Sequence, residues 1–266
     1  MMGNIITLTT DFGTSDAYIG AMKGVILGIN PNATIVDISH DIEPQNILQA
    51  AYVLDKAYPY FPKGTIHVVV VDPGVGTERK AVIIKTLEAF FVAPDNGVLS
   101  YVVENRIEAV SITNPRFWRK PVSATFHGRD IFAPVAAHLS LGTSPHEFGE
   151  TISSLVAFPC PRPRVEADGT IIGHVVHIDR FGNLITDIKR SDLPETNLQI
   201  EVKGHSIWGL SVSYAEGGEL LALIGSDEHL EIGAENGSAA ALLGAKVWEQ
   251  VDVIRSSRGT ARCAPT

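Results

Sequence analysis

The segment spanning residues 66–80, IHVVVVDPGVGTERK, drives an apolar run into a carboxylate, Asp72, then a Pro-Gly-Val-Gly turn, and reaches Arg79 seven positions after that carboxylate. A short valine-rich run bounded by a turn reads as a parallel strand covered on both faces. Its carboxyl end delivers Asp72 and Arg79 to the crevice where open α/β sheets place their ligands. Coming straight out of a buried strand, Asp72 needs a partner for its charge, and Arg79 is the nearest candidate. The pair reads either as an activator of water, ordered by a guanidinium that cannot deprotonate, or as a structural ion pair closing the loop.

The surrounding 266 residues are 45% apolar, enough for one large globular domain or two small ones. A net charge of −9 with no dense basic cluster argues against nucleic acid or anionic membrane as partner and favours a small organic ligand. No apolar stretch approaches the roughly 20 residues of a membrane span, and MMGNIITLTT has neither a basic start nor a long apolar stretch. A soluble, cytoplasmic protein is expected. Cys160 and Cys263 suggest neither a disulfide framework nor a thiolate metal site, and read as reduced and incidental.

Apolar runs at residues 5–9, 34–38 and 66–71 alternate with longer segments at about 16–29 and 46–57, the rhythm of βαβ units. In the first helical segment Ile19, Met22, Ile26 and Ile29 recur at helical spacing, and Asn30-Pro31 stops it. A further helix is expected after Asp130 as its cap, with Pro134 in the first turn, Phe132, Val135, Ala136 and Leu139 on one face, and an end at Gly142. The three prolines of AFPCPRPRVEADG mark a stiff connector. Beyond it the period becomes two, in GHVVHID, NLITDI, LQIEVKG, GLSVSYA, ELLALIG, AAALLG and VWEQVDVI, which predicts a small β-barrel or sandwich. The expected organisation is an α/β domain with a mostly parallel sheet over 1–158, carrying the catalytic residues. A linker at 159–170, a smaller all-β, barrel-like domain at 171–255 and a disordered tail at 256–266 follow.

Other residues could carry chemistry. Asp11 ends the first strand at the same sheet edge as Asp72, where carboxylates accept ribose hydroxyls, while Asp16 reads equally as a ligand or as a charge at a helix N-terminus. In FHGRDIF, His127 stands beside Gly128, which permits close approach of a ligand, and beside a helix start. PDNG at 94–97 is a turn that could also wall a ligand site. In HIDRFGNLITDI, Asp179, Phe181 and Asn183 are either hairpin chemistry or an aromatic and an amide suited to a purine.

Several of these blocks occur together in one family. TDFGTSDAYIGAMKG, DISHDIEP, VVVVDPGVGTERK, APDNGVLS, FHGRDIFAP, IDRFGNLITD and IGSDEHLEIGAENGSAA resemble the S-adenosyl-L-methionine hydroxide adenosyltransferases, relatives of the fluorinases and chlorinases, in order and over nearly the whole chain. The resemblance implies an N-terminal α/β domain and a C-terminal β-barrel. It further implies a homotrimer with each active site between one subunit's N-domain and a neighbour's C-domain. The implied reaction converts S-adenosylmethionine (SAM) and water to adenosine and methionine, with no metal or cofactor. By resemblance, Asp72, Arg79 and His127 are the catalytic set and Asp11 holds the ribose. Asp16, Asp179 and Ser226 look like contacts to the methionine portion, and Phe181, Asn183 and Tyr214 resemble the adenine-binding positions, with backbone contacts near Asn236.

Three positions bear on the alternatives. Halide users have tyrosine and serine where this chain has Asp72 and Gly128, so the halide-site hydroxyls are missing. Where they have an arginine after the serine equivalent, this chain has Asp227, which would repel the methionine carboxylate. Besides a halide-dependent enzyme, the rival readings are a metal-dependent phosphoester hydrolase using Asp11, Asp72, His127 and Asp130, which Arg79 and Arg129 oppose, and a non-catalytic nucleoside sensor.

Overall fold

The structure is a computed structural model describing residues 5–195, 198–216 and 218–255. It divides into two compact units between Cys160 and Pro161.

The first unit runs β1 (Ile5–Thr10), α1 (Tyr18–Ile29), β2 (Thr34–Ser39), α2 (Ile47–Ala57), β3 (Thr65–Val70), β4 (Ala81–Lys85), β5 (Ala89–Pro94), α3 (Ser100–Val103), β6 (Glu108–Ser111) and α4 (Ala133–Ser140). Its sheet has the order β2-β1-β3-β5-β4-β6, with β2, β1, β3 and β5 parallel and β4 antiparallel to both neighbours. The chain moves out from β1 to β2 and then returns across β1 to β3, so the crevice of this sheet opens at the carboxyl ends of β1 and β3. Every residue of β3 is buried. Ile66, Val68 and Val70 pack with Met22 and Ile26 of α1 and Val135 and Leu139 of α4, while Val69 and Val71 pack with Leu54 of α2 and Val102 of α3. Helices on both faces are what an alternation-free run requires, since each side chain of such a strand must find apolar cover.

Helix α1 buries Ile19, Met22 and Ile26, leaving Ile29 only partly covered. It begins after Asp16: Ala17 occupies the cap position and the first turn holds no acidic residue. At its other end Asn30 is buried, and its side-chain amide donates to Ser140 Oγ at 2.8 Å, tying the end of α1 to the end of α4. In α2 the Asn46 side chain accepts from the Gln49 backbone, an N-cap that costs about 1 kcal/mol to remove.

The expectation that Asp130 caps the later helix is not met. Helical backbone begins at His127, and residues Gly128–Phe132 form one π-helical turn closed by the Ala133 N–H on the Gly128 carbonyl five residues back. The cause is Pro134, which lacks the N–H that would bond the Asp130 carbonyl. That carbonyl accepts instead from the Arg119 backbone at 2.9 Å. The helix then runs to Ser140, just short of Gly142, whose φ of 93° takes the chain away.

The second unit comprises β7 (Arg164–Val165), β8 (Ile171–Ile178), β9 (Leu184–Lys189), β10 (Leu198–Val202), β11 (His205–Trp208), β12 (Leu221–Ile224), β13 (His229–Gly233), α5 (Ala239–Leu243) and β14 (Gln250–Arg255). All pairings are antiparallel, in the order β11-β10-β14-β8-β9-β13-β12 with β7 on β8. The Ser211 N–H bonds the Ala222 carbonyl at 2.8 Å, bringing the chain after β11 onto β12 and making the sheet barrel-like. Its core is filled by Val175, Leu184, Ile200, Leu230, Ile232 and Val251.

Two of the predicted strands are something else. AAALLG is helix α5, because Ser238 Oγ accepts from the Ala241 N–H and Gly244 ends it in a left-handed conformation, outweighing any alternation in an alanine-rich segment. GLSVSYA is not a strand either; Gly209 has φ 74° and Tyr214–Glu216 forms a 3-10 turn, while the strand in this region is β11. Within the Pro-rich connector, Arg164 and Val165 pair with β8. The expected disordered tail, 256–266, lies outside the described residues. Among the described residues no helix is long and apolar enough to cross a membrane.

Candidate active site

Strand β3 ends under a local lock: the Asn96 side-chain amide donates to the Val71 carbonyl at 2.9 Å, which serves the PDNG segment's role as a turn and holds the backbone from which Asp72 projects. Residues 72–79 then fold back, with Val75 N–H on the Asp72 carbonyl and the Thr77 N–H and hydroxyl both on the Gly74 carbonyl. Arg79 is thereby returned to Asp72. Its Nε donates to both carboxylate oxygens at 2.9 Å and its Nη2 to Oδ2, and the pair is nearly sealed, with 10% and 5% of the two side chains exposed. The guanidinium also lies over the Phe132 ring, 5.3 Å from its centroid.

The same Nη2 is 2.8 Å from His127 Nδ1. Arginine has donors only, so His127 Nδ1 must present its lone pair, and in the neutral ring the proton then sits on Nε2. Burial, reinforced by the Arg79 charge and opposed by Asp72 and Asp130, lowers the His127 pKa below its ordinary value, which favours that neutral form. Gly76 brings the two loops together: it has φ 77°, and a Cβ there would run into the Ala124 carbonyl oxygen. Asp130 anchors the second loop. Completely buried, its carboxylate takes Arg129 at 2.6 and 2.8 Å, Arg119 at 3.4 Å and the Ser123 N–H at 2.9 Å.

Register places Asp11 beside this group, since Thr10 of β1 is paired with Val70 of β3. A cleft of about 390 Å³ is lined by Asp11, Asp72, His127 and Gly128 together with the aromatic residues Phe12, Tyr18 and Phe126. Those three rings contact one another at centroid distances of 5.2–5.8 Å. Asp11 Oδ2 accepts the Gln45 N–H at 2.8 Å and so holds a residue whose φ is 67° at the cleft wall. Asp16 is exposed ahead of α1 and is not among the residues lining the cleft. Phe12, Tyr18, Phe126 and Gln45 went unread in the sequence, although all but Gln45 sit inside the motif blocks.

Within the second unit, Asp179, Phe181, Asn183 and Tyr214 form one hydrogen-bonded cluster. Asp179 Oδ1 accepts the N–H groups of Phe181 and Asn183, and its Oδ2 accepts Asn183 Nδ2 at 2.9 Å. Asn183 Nδ2 also reaches the Tyr214 hydroxyl at 3.4 Å, and that hydroxyl donates to Glu231 Oε2 at 2.6 Å. Phe181 is 76% exposed, an aromatic face left uncovered at the turn. Ser226 lies in the β12–β13 turn, with Asp227 next to it, and Asn236 in the turn after β13, where its φ of 52° supplies the left-handed residue. A larger hollow of about 630 Å³ near Arg190, Leu193 and Leu210 contains none of the candidates.

Among the described residues no group of three His, Cys, Asp or Glu side chains is placed to hold a metal ion. Of the four groups the phosphoester reading needs, Asp130 is spent on two arginines and does not line the cleft.

Comparison with known proteins gives consistent matches. The SAM hydroxide adenosyltransferase N-terminal domain matches residues 6–149 and the corresponding C-terminal domain residues 173–252. The chain is 38% identical to the (R)-S-adenosyl-L-methionine hydrolase of Methanocaldococcus jannaschii, covering 94% of this chain and 96% of that one. It is 30% identical to a fluorinase of an Actinoplanes species, over 73% and 74% of the two chains. A crystal structure of an uncharacterized conserved protein from Thermotoga maritima superposes with a TM-score of 0.87 at 38% identity, covering 94% of this chain and 100% of that one.

Proposed function

Since the chain belongs to the SAM hydroxide adenosyltransferase family, we propose that it hydrolyses S-adenosyl-L-methionine to adenosine and L-methionine through a water held by Asp72, Arg79 and His127. The observation that carries this reading is the Arg79 guanidinium, which bridges the Asp72 carboxylate and His127 Nδ1 beside the cleft.

The sulfonium of SAM leaves as a neutral thioether, so the enzyme must chiefly position a nucleophile in line with C5′ and strip its solvent. The oxygen of water bonds to C5′ as the C5′–S bond breaks with its electron pair moving to sulfur. One proton stays on the new 5′-hydroxyl and the other passes to Asp72. His127 turns Nε2–H toward the water as a donor, because its other nitrogen is committed to Arg79. Asp11 takes the ribose hydroxyls. Asp16, Asp179 and Ser226 face the methionine portion, and Phe181, Asn183 and Tyr214 the base, with the backbone near Asn236. With Asp227 where halide users carry arginine, the methionine carboxylate is met by another group or by water. The assembly is a homotrimer in which a neighbour's second unit completes each cleft, in the cytoplasm where SAM is made and spent, and no cofactor takes part.

Gly128 favours water over halide. A Cβ at that position would stand 3.2 Å from Met22 Sδ, 3.3 Å from Phe126 and 3.4 Å from Val70, so a serine hydroxyl for halide has little room. Incubation with SAM, first without halide and then with chloride or fluoride, tests the proposal. Adenosine and methionine should form in halide-free buffer, faster from the sulfonium epimer that the relative's name specifies. A 5′-halo nucleoside as the sole product, or no turnover of either epimer, would overturn it.

A further inference from the structure

Tyr214 is 41% exposed, yet its hydroxyl donates to Glu231 at 2.6 Å. A phenol present only for packing would leave that hydroxyl to water, which costs nothing. Two glycines make this arrangement feasible. A Cβ on Gly233 would come within 2.8 and 3.0 Å of the Tyr214 ring and 3.1 Å of Asn183 Oδ1, and a Cβ on Gly225 would overlap the Glu231 carboxylate. Neither glycine has a positive φ, so what each supplies here is room rather than a left-handed conformation. The ring therefore lies flush against β13, fixed at its far end by a charge-assisted hydrogen bond. Asn183 is drawn into the same lock, because its Nδ2 bonds Asp179 at 2.9 Å and the Tyr214 oxygen at 3.4 Å. Burial pushes the Glu231 pKa up, with Asp179 and Asp227 adding to it, and the Tyr214 hydrogen bond works against them.

We propose that Glu231 is a positioning residue for nucleoside binding: it fixes the Tyr214 ring as a preformed wall for the purine, so that the base meets a surface already ordered. This rests on the SAM hydrolase reading, which assigns the base to Tyr214 and Asn183. With its proton spent on Glu231 and its oxygen facing Asn183, Tyr214 offers the ligand its ring face. A wall ordered in advance improves binding of substrate and product alike, because the rotamer entropy is lost before the ligand arrives. It therefore acts on KM and on adenosine affinity and leaves kcat alone.

The test compares wild type, Y214F, E231L, E231Q and the Y214F/E231L double variant, by SAM turnover and by calorimetric adenosine binding. E231L should raise KM and the adenosine Kd by about 5- to 30-fold with kcat within about twofold, as loss of uniform binding requires. E231Q, whose amide oxygen still accepts the phenol proton, should recover most of that loss. The double variant should be no worse than the poorer single one. Wild-type affinity in E231L, effects that multiply in the double variant, or a fall in kcat at constant KM would each overturn the proposal. Should E231L fail to fold, Y214F and E231Q decide it: Y214F must weaken adenosine binding and E231Q must stay near wild type. A wild-type protein that neither consumes SAM nor binds adenosine defeats the parent reading and this one with it. A wild type that does both, beside unaffected variants, defeats this one alone.

Discussion

An arginine cannot accept a hydrogen bond, and at Arg79 that property sets the state of two neighbours at once. Toward Asp72 the guanidinium fills a carboxylate edge with Nε and Nη2; toward His127 the same Nη2 demands a bare Nδ1. The histidine is consequently a donor through Nε2 and unsuited to taking a proton there, which in the proposed reaction leaves that task to Asp72. An imidazolium would carry a proton on Nδ1 against Arg79, so the histidine must be neutral for the trio to hold. Since burial and Arg79 lower its pKa, the neutral form persists to a pH below the ordinary 6.5, and activity should decline only as pH falls further. The kcat–pH profile of wild type should therefore show an acid limb below that value. His127→Gln, which places an amide nitrogen near the lost Nε2 and does not titrate, should lack that limb and keep more activity than His127→Ala, for which a loss of about 10²–10⁴ is expected. An acid limb unchanged in His127→Gln would remove the histidine from this role.

Strand β3 shows how burial on two faces acts on a titratable side chain. His67 is completely buried on it, with Nδ1 2.8 Å from Thr7 Oγ1 and its ring stacked on Phe91 at 5.1 Å, and burial lowers its pKa to about 4. The unfolded chain binds this proton near pH 6.5 and the folded one only near 4, so stability is complete above 6.5 and drains away as pH falls between the two. The loss attributable to this group is about 3 kcal/mol. Denaturant unfolding of wild type and His67→Phe at pH 7 and pH 4 should show the variant losing that much less, and parallel pH dependence would refute the account. The same strand was the most legible element of the chain, because an unbroken valine run followed by a turn admits few other solutions. Legibility failed where two local signals coincide. Asp130 ahead of an apolar face looks like a cap, but its partners Arg119 and Ser123 lie back along the chain and the decisive proline sits four residues on. AAALLG satisfies alternation as well as helix propensity, and only the Ser238 cap and Gly244 separate them. Within the site, Asp72, Arg79 and His127 were readable because each follows a strand end or precedes a helix in its own segment. Glu231 was not, because Tyr214, the residue that gives it meaning, is 17 positions away and both are ordinary on a half-exposed barrel wall.

At the level of the whole molecule, the groups the proposed reaction needs are divided between two units. The proposed water-activating trio and Asp11 belong to the first, and Phe181, Asn183 and Tyr214, proposed to bind the base, to the second. If a neighbour's second unit completes each cleft, a chain damaged in one unit still lends its intact unit to the next. Asp72→Ala spoils only the first unit's contribution, and Asn183→Ala only the second's. Separately, each variant should be nearly inactive at SAM concentrations well below KM. Unfolded together in equal amounts and refolded, they should recover about one wild-type site in four, since an intact first unit meets an intact second unit with that frequency in a ring of randomly mixed subunits. Sites built within one chain would give no such recovery, because every chain in the mixture carries a defect. Mixing the folded proteins without refolding is the matched control: activity that rises slowly there would report subunit exchange, and activity that stays at the sum of the two variants even after refolding would refute the shared site.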